Sequence, residues 1–390
     1  MKAMLVIPHV SGGGGEKVLS DLACSLRCEI VIVVFEEKFS YPIRGKLISL
    51  NASIDRSSVV RRAMGFIHRA ILFRRVVQAE RPDVVLSFMG EANLINALIS
   101  HHPILTVHTH MSSIEGTRNR IESSAAKALV RWLYKKAVVV AVSQEVKADL
   151  VEEFGVPERQ VIVIPNAVDV AKVEALSHED VECPWDAELP VIITAGRLTE
   201  VKAQWHLIRA FAQLRKSRPC QLAILGTGEL ETYLKGLARE LGIEKDVFFL
   251  GWQSNPFKFL ARADVFVLSS ITESFGLALL EAMVCKLPVV AADSPGGVRE
   301  IITGGAGGDC GVLVPPPDGR MYNGADPLTH EEQRLARELS CLLDDPEARK
   351  RYIHAGSLRV RDFDVASFVE KYQKLLEGRN SGSDRSDPKN

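Results

Sequence analysis

The stretch VFVLSSITESFGLALLEAMVCKLPVVAAD, residues 265–293, reads as one complete strand–turn–helix–strand unit. VFVLSS and PVVAAD are short runs rich in apolar, β-branched residues, the composition of parallel strands covered on both faces. Between them Gly276 breaks the chain, and LALLEAMVC reads as a helix. Two carboxylates interrupt this apolar unit. Glu281 stands inside the helix, and Glu273 stands in the turn eight residues earlier. A buried charge is costly unless something pairs with it. Neighbouring hydroxyls of a ribose or a hexose are one candidate partner, because a carboxylate can accept from both. A structural salt bridge to Arg or Lys is the plainer alternative.

The same alternation extends in both directions. In the first half MLVIPHV, IVIVVF, LISL, VVLSF, ILTVHT and VVVAVS read as strands; in the second half VIITAG, LAILG, VFFLG, VFVLSS and PVVAAD do. Apolar strands alternating with amphipathic segments predict an α/β fold with two doubly wound parallel sheets. A length of 390 residues suits two domains. Ligands are then expected in a cleft between the sheets, at the carboxyl ends of the strands. The Pro-, Gly- and Asp-rich stretch 315–330 reads as a surface loop.

Composition narrows the function classes. With 48 basic and 49 acidic residues the net charge is −1, so no overall field points to nucleic acid. The cysteines at 24, 28, 183, 220, 285, 310 and 341 lack metal-ligand spacing and read as reduced thiols of a cytosolic protein. The opening MKAMLVIPHV is too short an apolar run for a signal peptide. No stretch reaches the ~20 apolar residues that span a bilayer.

Two further segments carry chemistry. SGGGGEKV, residues 11–18, follows a strand and opens a helix, so its backbone can approach an anion closely. A dinucleotide fingerprint fails there, because the third glycine is missing in both possible registers. A plain strand-to-helix turn is the simpler reading. In TAGRLTEVKAQWHLIRAF, residues 194–211, Arg197 ends a strand and Lys202 lies five residues on. Together they could grip a diphosphate, the arginine as a fork and the lysine as a point charge; two solvated surface charges are the alternative.

Taken together, Gly196-Arg197-Leu198 with Lys202, Glu273-Ser-Phe-Gly276 with Glu281, and Gly13-Gly14-x-Glu16 resemble the retaining family 4 glycosyltransferases. IPNAVD (164–169) and SPGGVREI (294–301) add to the resemblance, which covers nearly the whole chain. It implies the GT-B fold, two Rossmann-like domains facing across a cleft. The domains would be 1–170, binding acceptor, and 171–360, binding the nucleotide-sugar. A helix over 361–378 would return to the first domain, and 379–390 would be a disordered tail. The resemblance further implies that Arg197 and Lys202 bind the donor diphosphate, Glu273 contacts the transferred sugar, and Glu281 holds the ribose. Gly13, Gly14, Trp252, Phe275, Gly276 and Leu277 would complete the donor site. A histidine after an N-terminal strand would stand beside the reacting sugar. TVHTHMSS offers His108 and His110, of which His110, leaving the strand, is favoured. Ala203 departs from the Gly or Asn common after the lysine. The implied donor is a UDP-sugar carrying a hexose or N-acetylhexosamine, with no metal required; GDP is the alternative.

The acceptor is read from RSSVVRRAMGFIHRAILFRRVVQ, residues 56–78, with six arginines, one histidine and no acid. At ~100° per residue Arg61, His68 and Arg75 form one stripe and Arg62 with Arg69 a second. Val60, Met64, Ile67 and Ile71 fall on the opposite face, with Arg74 among them. Such a helix suits an anionic membrane surface or the phosphates of a lipid carrier. The resemblance to family members that build lipid-linked oligosaccharides implies a polyprenyl-diphosphate-linked glycan as acceptor, at the cytoplasmic face of a membrane. An ordinary solvated helix packed on its sheet is the alternative. Three rival functions are a transferase with a soluble acceptor, an NAD-dependent oxidoreductase and a non-catalytic sugar-binding protein.

Overall fold

The structure is a computed structural model and describes residues 1–10, 13–53, 58–115 and 120–380. Contacts divide the chain into two compact units, Met1–Ala167 with Val365–Asn390, and Val168–Asp364.

The first unit is built on seven strands: β1 (Lys2–Ile7), β2 (Glu29–Val34), β3 (Lys46–Ser49), β4 (Val84–Phe88), β5 (Pro103–Val107), β6 (Val138–Ala141) and β7 (Val161–Val163). All pair in parallel, in the order β3-β2-β1-β4-β5-β6-β7. Successive side chains of β1 serve opposite faces. Leu5 and Ile7 pack with Val18, Leu19 and Leu22 of helix α1 (Gly14–Ser25), and with Phe368, Tyr372 and Leu376 of the last helix, Val365–Asn380. Met4 and Val6 pack on the other face with Phe73 of α2 (Val59–Glu80) and Ala92 and Ile95 of α3 (Gly90–Ile99). Residues 381–390, where a disordered tail is expected, lie outside the described residues.

Helix α2 corrects the sequence reading in two ways. Arg69 is not on the surface: it is 2% exposed, with Nε donating to Glu91 Oε1 at 2.6 Å and Nη1 to Ser53 O at 2.6 Å. Periodicity places Arg69 beside Phe66 and Phe73, so the packed face runs through the arginine rather than through the row Val60–Ile71. Val60, Met64, Ile67 and Ile71 all point outward, at 67%, 65%, 57% and 48% exposure. The exposed cations Arg61, His68, Arg74 and Arg75 therefore flank an exposed apolar row, while the exposed Arg62 stands on Arg69's side of the helix.

The second unit has six parallel strands: β8 (Val191–Ala195), β9 (Gln221–Leu225), β10 (Val247–Gly251), β11 (Val265–Leu268), β12 (Val289–Ala292) and β13 (Gly311–Val314). Their order is β10-β9-β8-β11-β12-β13, the doubly wound arrangement. Its core is carried by Trp205, Leu207, Ile208 and Phe211 of helix Gln204–Arg215, with Leu335 and Leu339 of helix His330–Asp344. The loop between β13 and that helix is on the surface but is tied down. Buried Arg209 donates to Asp326 O and Pro327 O at 3.1 and 2.7 Å, and Trp205 Nε1 donates to Arg320 O at 2.8 Å.

Candidate donor and acceptor sites

Strand order reverses between β8 and β11, so the loops at their carboxyl ends flank a crevice where ligands collect in such sheets. The loop after β8 presents Arg197. Its backbone is clamped by the loop after β9: Gly196 N–H donates to Leu225 O and Leu198 N–H to Thr227 O, each at 3.0 Å. This approach requires glycine. Gly226 has φ 126°, and a Cβ there would lie 2.0 Å from Gly196 O. The Arg197 side chain is exposed, and among the described residues no acid pairs with it. Lys202 ends a short 3-10 turn, Glu200–Lys202, and its Nζ bonds Glu273 Oε2. Ala203 follows with φ 49° and ψ 39°. That left-handed conformation accounts for the Gly or Asn common at this place in the family.

The loop after β11 presents Glu273, held from behind by the 294–297 turn. Glu273 N–H donates to Pro295 O at 3.0 Å, and Gly297 N–H donates to Glu273 O at 3.2 Å. Gly296, at φ 125°, could not carry a Cβ, which would fall 1.9 Å from Glu273 O. Gly276, at φ 103°, then caps helix Leu277–Val284, whose first amides have no intrahelical partner and favour negative charge. Along that helix Leu279, Leu280, Ala282, Met283 and Val284 are buried, whereas Leu277, Ala278 and Glu281 are half-exposed on one side. Glu281 therefore lies on the partly open side of an apolar helix, not within its core. Phe275 is 2% exposed and meets Phe363 edge-on at 5.4 Å, so its ring packs in the core. Trp252, just past β10, is 60% exposed and available to a ligand.

In the first unit the reversal lies between β1 and β4. Residues 11 and 12 of the glycine run lie outside the described residues. Gly13 is the N-cap of α1, and the place its Cβ would take is within 2.3 Å of Glu16 Oε2. The buried Glu16 carboxylate thus folds back over the helix start, and His9 Nδ1 stands 3.6 Å from its other oxygen. The helix end that a dinucleotide pyrophosphate would need already faces a carboxylate.

The two histidines after β5 have different surroundings. His108 stacks on Phe88 with ring centroids 5.8 Å apart, and a Cβ on Gly15 would touch its ring at 3.6 Å. Burial alone pulls its pKa down to about 4, so the ring is neutral at pH 7. His110 turns to another group: its Nδ1 is hydrogen-bonded with Ser113 Oγ at 2.8 Å and stands 3.9 Å from Asp149 Oδ1. Sequence reasoning missed Gly226 and Gly228, although LGTGE directly after an apolar strand was a readable signal. Among the described residues no cluster of His, Cys, Asp or Glu could hold a metal ion, and all seven cysteines are unpaired. Among the described residues, too, no helix is long and apolar enough to cross a membrane.

Comparison with known proteins gives the family. Residues 12–172 match the family model of glycosyltransferase family 4, and residues 179–359 that of the glycosyl transferases group 1. An uncharacterized glycosyltransferase of Methanocaldococcus jannaschii is 30% identical over 340 residues, covering 80% of this chain and 83% of its own. The chain is a family 4 glycosyltransferase. A second relative of this glycosyltransferase is 26% identical over 385 residues, 97% of this chain and 100% of its own. It is the Campylobacter jejuni N-acetylgalactosamine-N,N'-diacetylbacillosaminyl-diphospho-undecaprenol 4-alpha-N-acetylgalactosaminyltransferase. Among solved structures, Anabaena HepE in complex with UDP and glucose superimposes with a TM-score of 0.75 at 22% identity, covering 97% of this chain and 100% of that one. Sucrose-phosphate synthase of Thermosynechococcus elongatus gives 0.78 at 18% identity, covering 98% and 99%. The fold is GT-B.

Proposed function

We propose that this glycosyltransferase moves a hexose or N-acetylhexosamine from a UDP-sugar to a polyprenyl-diphosphate-linked glycan, with retention of configuration, at the cytoplasmic face of a membrane. The observation that carries the donor half is that Arg197, without an acidic partner among the described residues, and Lys202 follow β8 while Glu273 and the start of helix Leu277–Val284 follow β11, at the reversal of strand order. As the bond between the sugar's C1 and the diphosphate oxygen breaks, charge gathers on the diphosphate. Two cations and a helix start stabilise it in place. The acceptor hydroxyl forms the new bond from the same face, and its proton passes to the departing phosphate oxygen. Glu273 orients the sugar and Glu281 the ribose. With these cations present, no metal is needed to hold the diphosphate. Of the two histidines, the neutral His108 against the glycine turn suits hydrogen bonding near the reacting sugar. His110 is the competing assignment, and paired alanine variants decide between them.

The acceptor half draws on the outward row of α2. Apolar side chains flanked by arginines suit the boundary of an anionic bilayer, where each cation adds ~1 kcal/mol of attraction. Exposed Leu129 and Trp132, on helix Arg120–Tyr134 of the same unit, are of the same character. The Campylobacter relative, which by its name acts on a diphospho-undecaprenol glycan, supports the same reading.

A thermal-shift panel of UDP, GDP, ADP and NAD with EDTA tests the donor. UDP at 100-fold its dissociation constant adds ~2.7 kcal/mol of stability; stabilisation by NAD or GDP in its place overturns the assignment. Co-sedimentation tests the acceptor surface. The wild-type chain is expected to pellet with anionic vesicles and a Met64→Glu, Ile67→Glu variant to stay in solution. Equal pelleting of the two removes α2 from the reading and favours a soluble acceptor.

A further inference from the structure

The two groups assigned to the donor's diphosphate and sugar are paired with each other in the structure. Lys202 Nζ and Glu273 Oε2 form an ion pair, at 23% and 16% side-chain exposure. Ser270 Oγ donates to the same carboxylate oxygen at 3.3 Å. The backbones that carry the pair are fixed without it. Ser269 Oγ donates to Lys202 O at 2.9 Å and Ile271 N–H to Val201 O at 2.9 Å, while the Pro295 and Gly297 bonds hold Glu273. Breaking the side-chain pair therefore leaves both loops in place. Arg197, five residues before Lys202, has no such partner among the described residues.

We infer that Glu273 is an internal competitor for Lys202, a self-inhibitory contact that the donor's diphosphate must displace. The inference rests on the donor reading above. A diphosphate carries more charge than one carboxylate and reaches Arg197 as well, so it can win the lysine. Displacement frees Glu273 to accept from the sugar's hydroxyls, with Ser270 still beside it. Binding of the phosphates thereby readies the sugar's own partner. A free sugar, which cannot draw Lys202 away, would find Glu273 taken.

The test is calorimetric titration of UDP, without metal, into the wild-type chain, Glu273→Gln, Lys202→Met and the double variant. Melting curves are recorded for each, and Glu273→Ala, which removes the carboxylate altogether, replaces the amide variant if that does not fold. Releasing Lys202 is expected to tighten UDP binding about fivefold to tenfold in Glu273→Gln, while sugar transfer falls. In the Lys202→Met background the same change should bring no gain, since the competition has lost its object. A gain that persists there reflects removal of one negative charge in general and overturns the inference. So does the absence of a gain in the single variant. If the wild-type chain binds no UDP, the donor reading fails as well, which separates the two failures.

Discussion

Each unit puts a strand-to-helix turn at the point where its strand order reverses, yet the two turns carry opposite charge. After β1 the buried Glu16 carboxylate lies over Gly13 at the start of α1. After β8 the turn offers Arg197 and Lys202. The shared architecture supplies a place for a ligand, and the side chain that reaches the turn decides its sign. The glycine run, which reads most like a phosphate cradle, is the one that carries its own anion. The less conspicuous GRL turn is the one that presents cations.

The contrast can be broken most severely at its basic end. Arg197→Ala is expected to lower kcat/KM for the nucleotide-sugar by about 10²–10³, the loss typical of one preorganised donor to developing charge. Steady-state kinetics with a matched Glu16→Gln variant should show a far smaller donor effect, since Glu16 belongs to the other turn. Gly296→Ala attacks the support of Glu273, through a positive φ and a clash with a carbonyl. Denaturant unfolding should show a loss of about 3 kcal/mol.

His108 sharpens the acidic end through pH. Its folded pKa of about 4 lies below the ordinary histidine value of 6.5. The unfolded chain therefore binds the extra proton first as pH falls. Stability from this residue is full above about pH 6.5, declines from there down through pH 4, and levels off below. At about 1.4 kcal/mol per pK unit the loss is at most about 3 kcal/mol, and His108→Asn should flatten that part of the profile. The smallest effect belongs to Gly13→Ala. A new methyl displaces the Glu16 carboxylate at about 1–2 kcal/mol, and Glu16→Ala in the same chain should relieve most of it.

The fold was legible because parallel strands covered on both faces leave unbroken apolar runs, and eleven of them stand out in the sequence. The two that did not, β7 and β13, are short edge strands of three and four residues with one neighbour each. Charged loops at strand ends were legible, as at Arg197, Lys202 and Glu273. At glycines 226 and 228 the strand end was readable but their role was not, since it is to leave room for a backbone 30 residues away in sequence. Helix α2 was misread because periodicity gives two faces without saying which one packs. Glu91 and Ser53, distant in sequence, turn Arg69 inward, and the apolar row faces out as a result.

The last helix has a bearing on how the protein is made. Phe368, Tyr372 and Leu376 close the first core, yet they leave the ribosome about 200 residues after Ala167. At about 5–20 residues per second, the first unit waits some 10–40 s for its missing wall, while the whole of the second unit is synthesised in between. During that interval the apolar side of α1 and β1 is a surface for chaperones to shield. A stop codon between residues 364 and 368 would leave an incomplete first unit beside a finished second one.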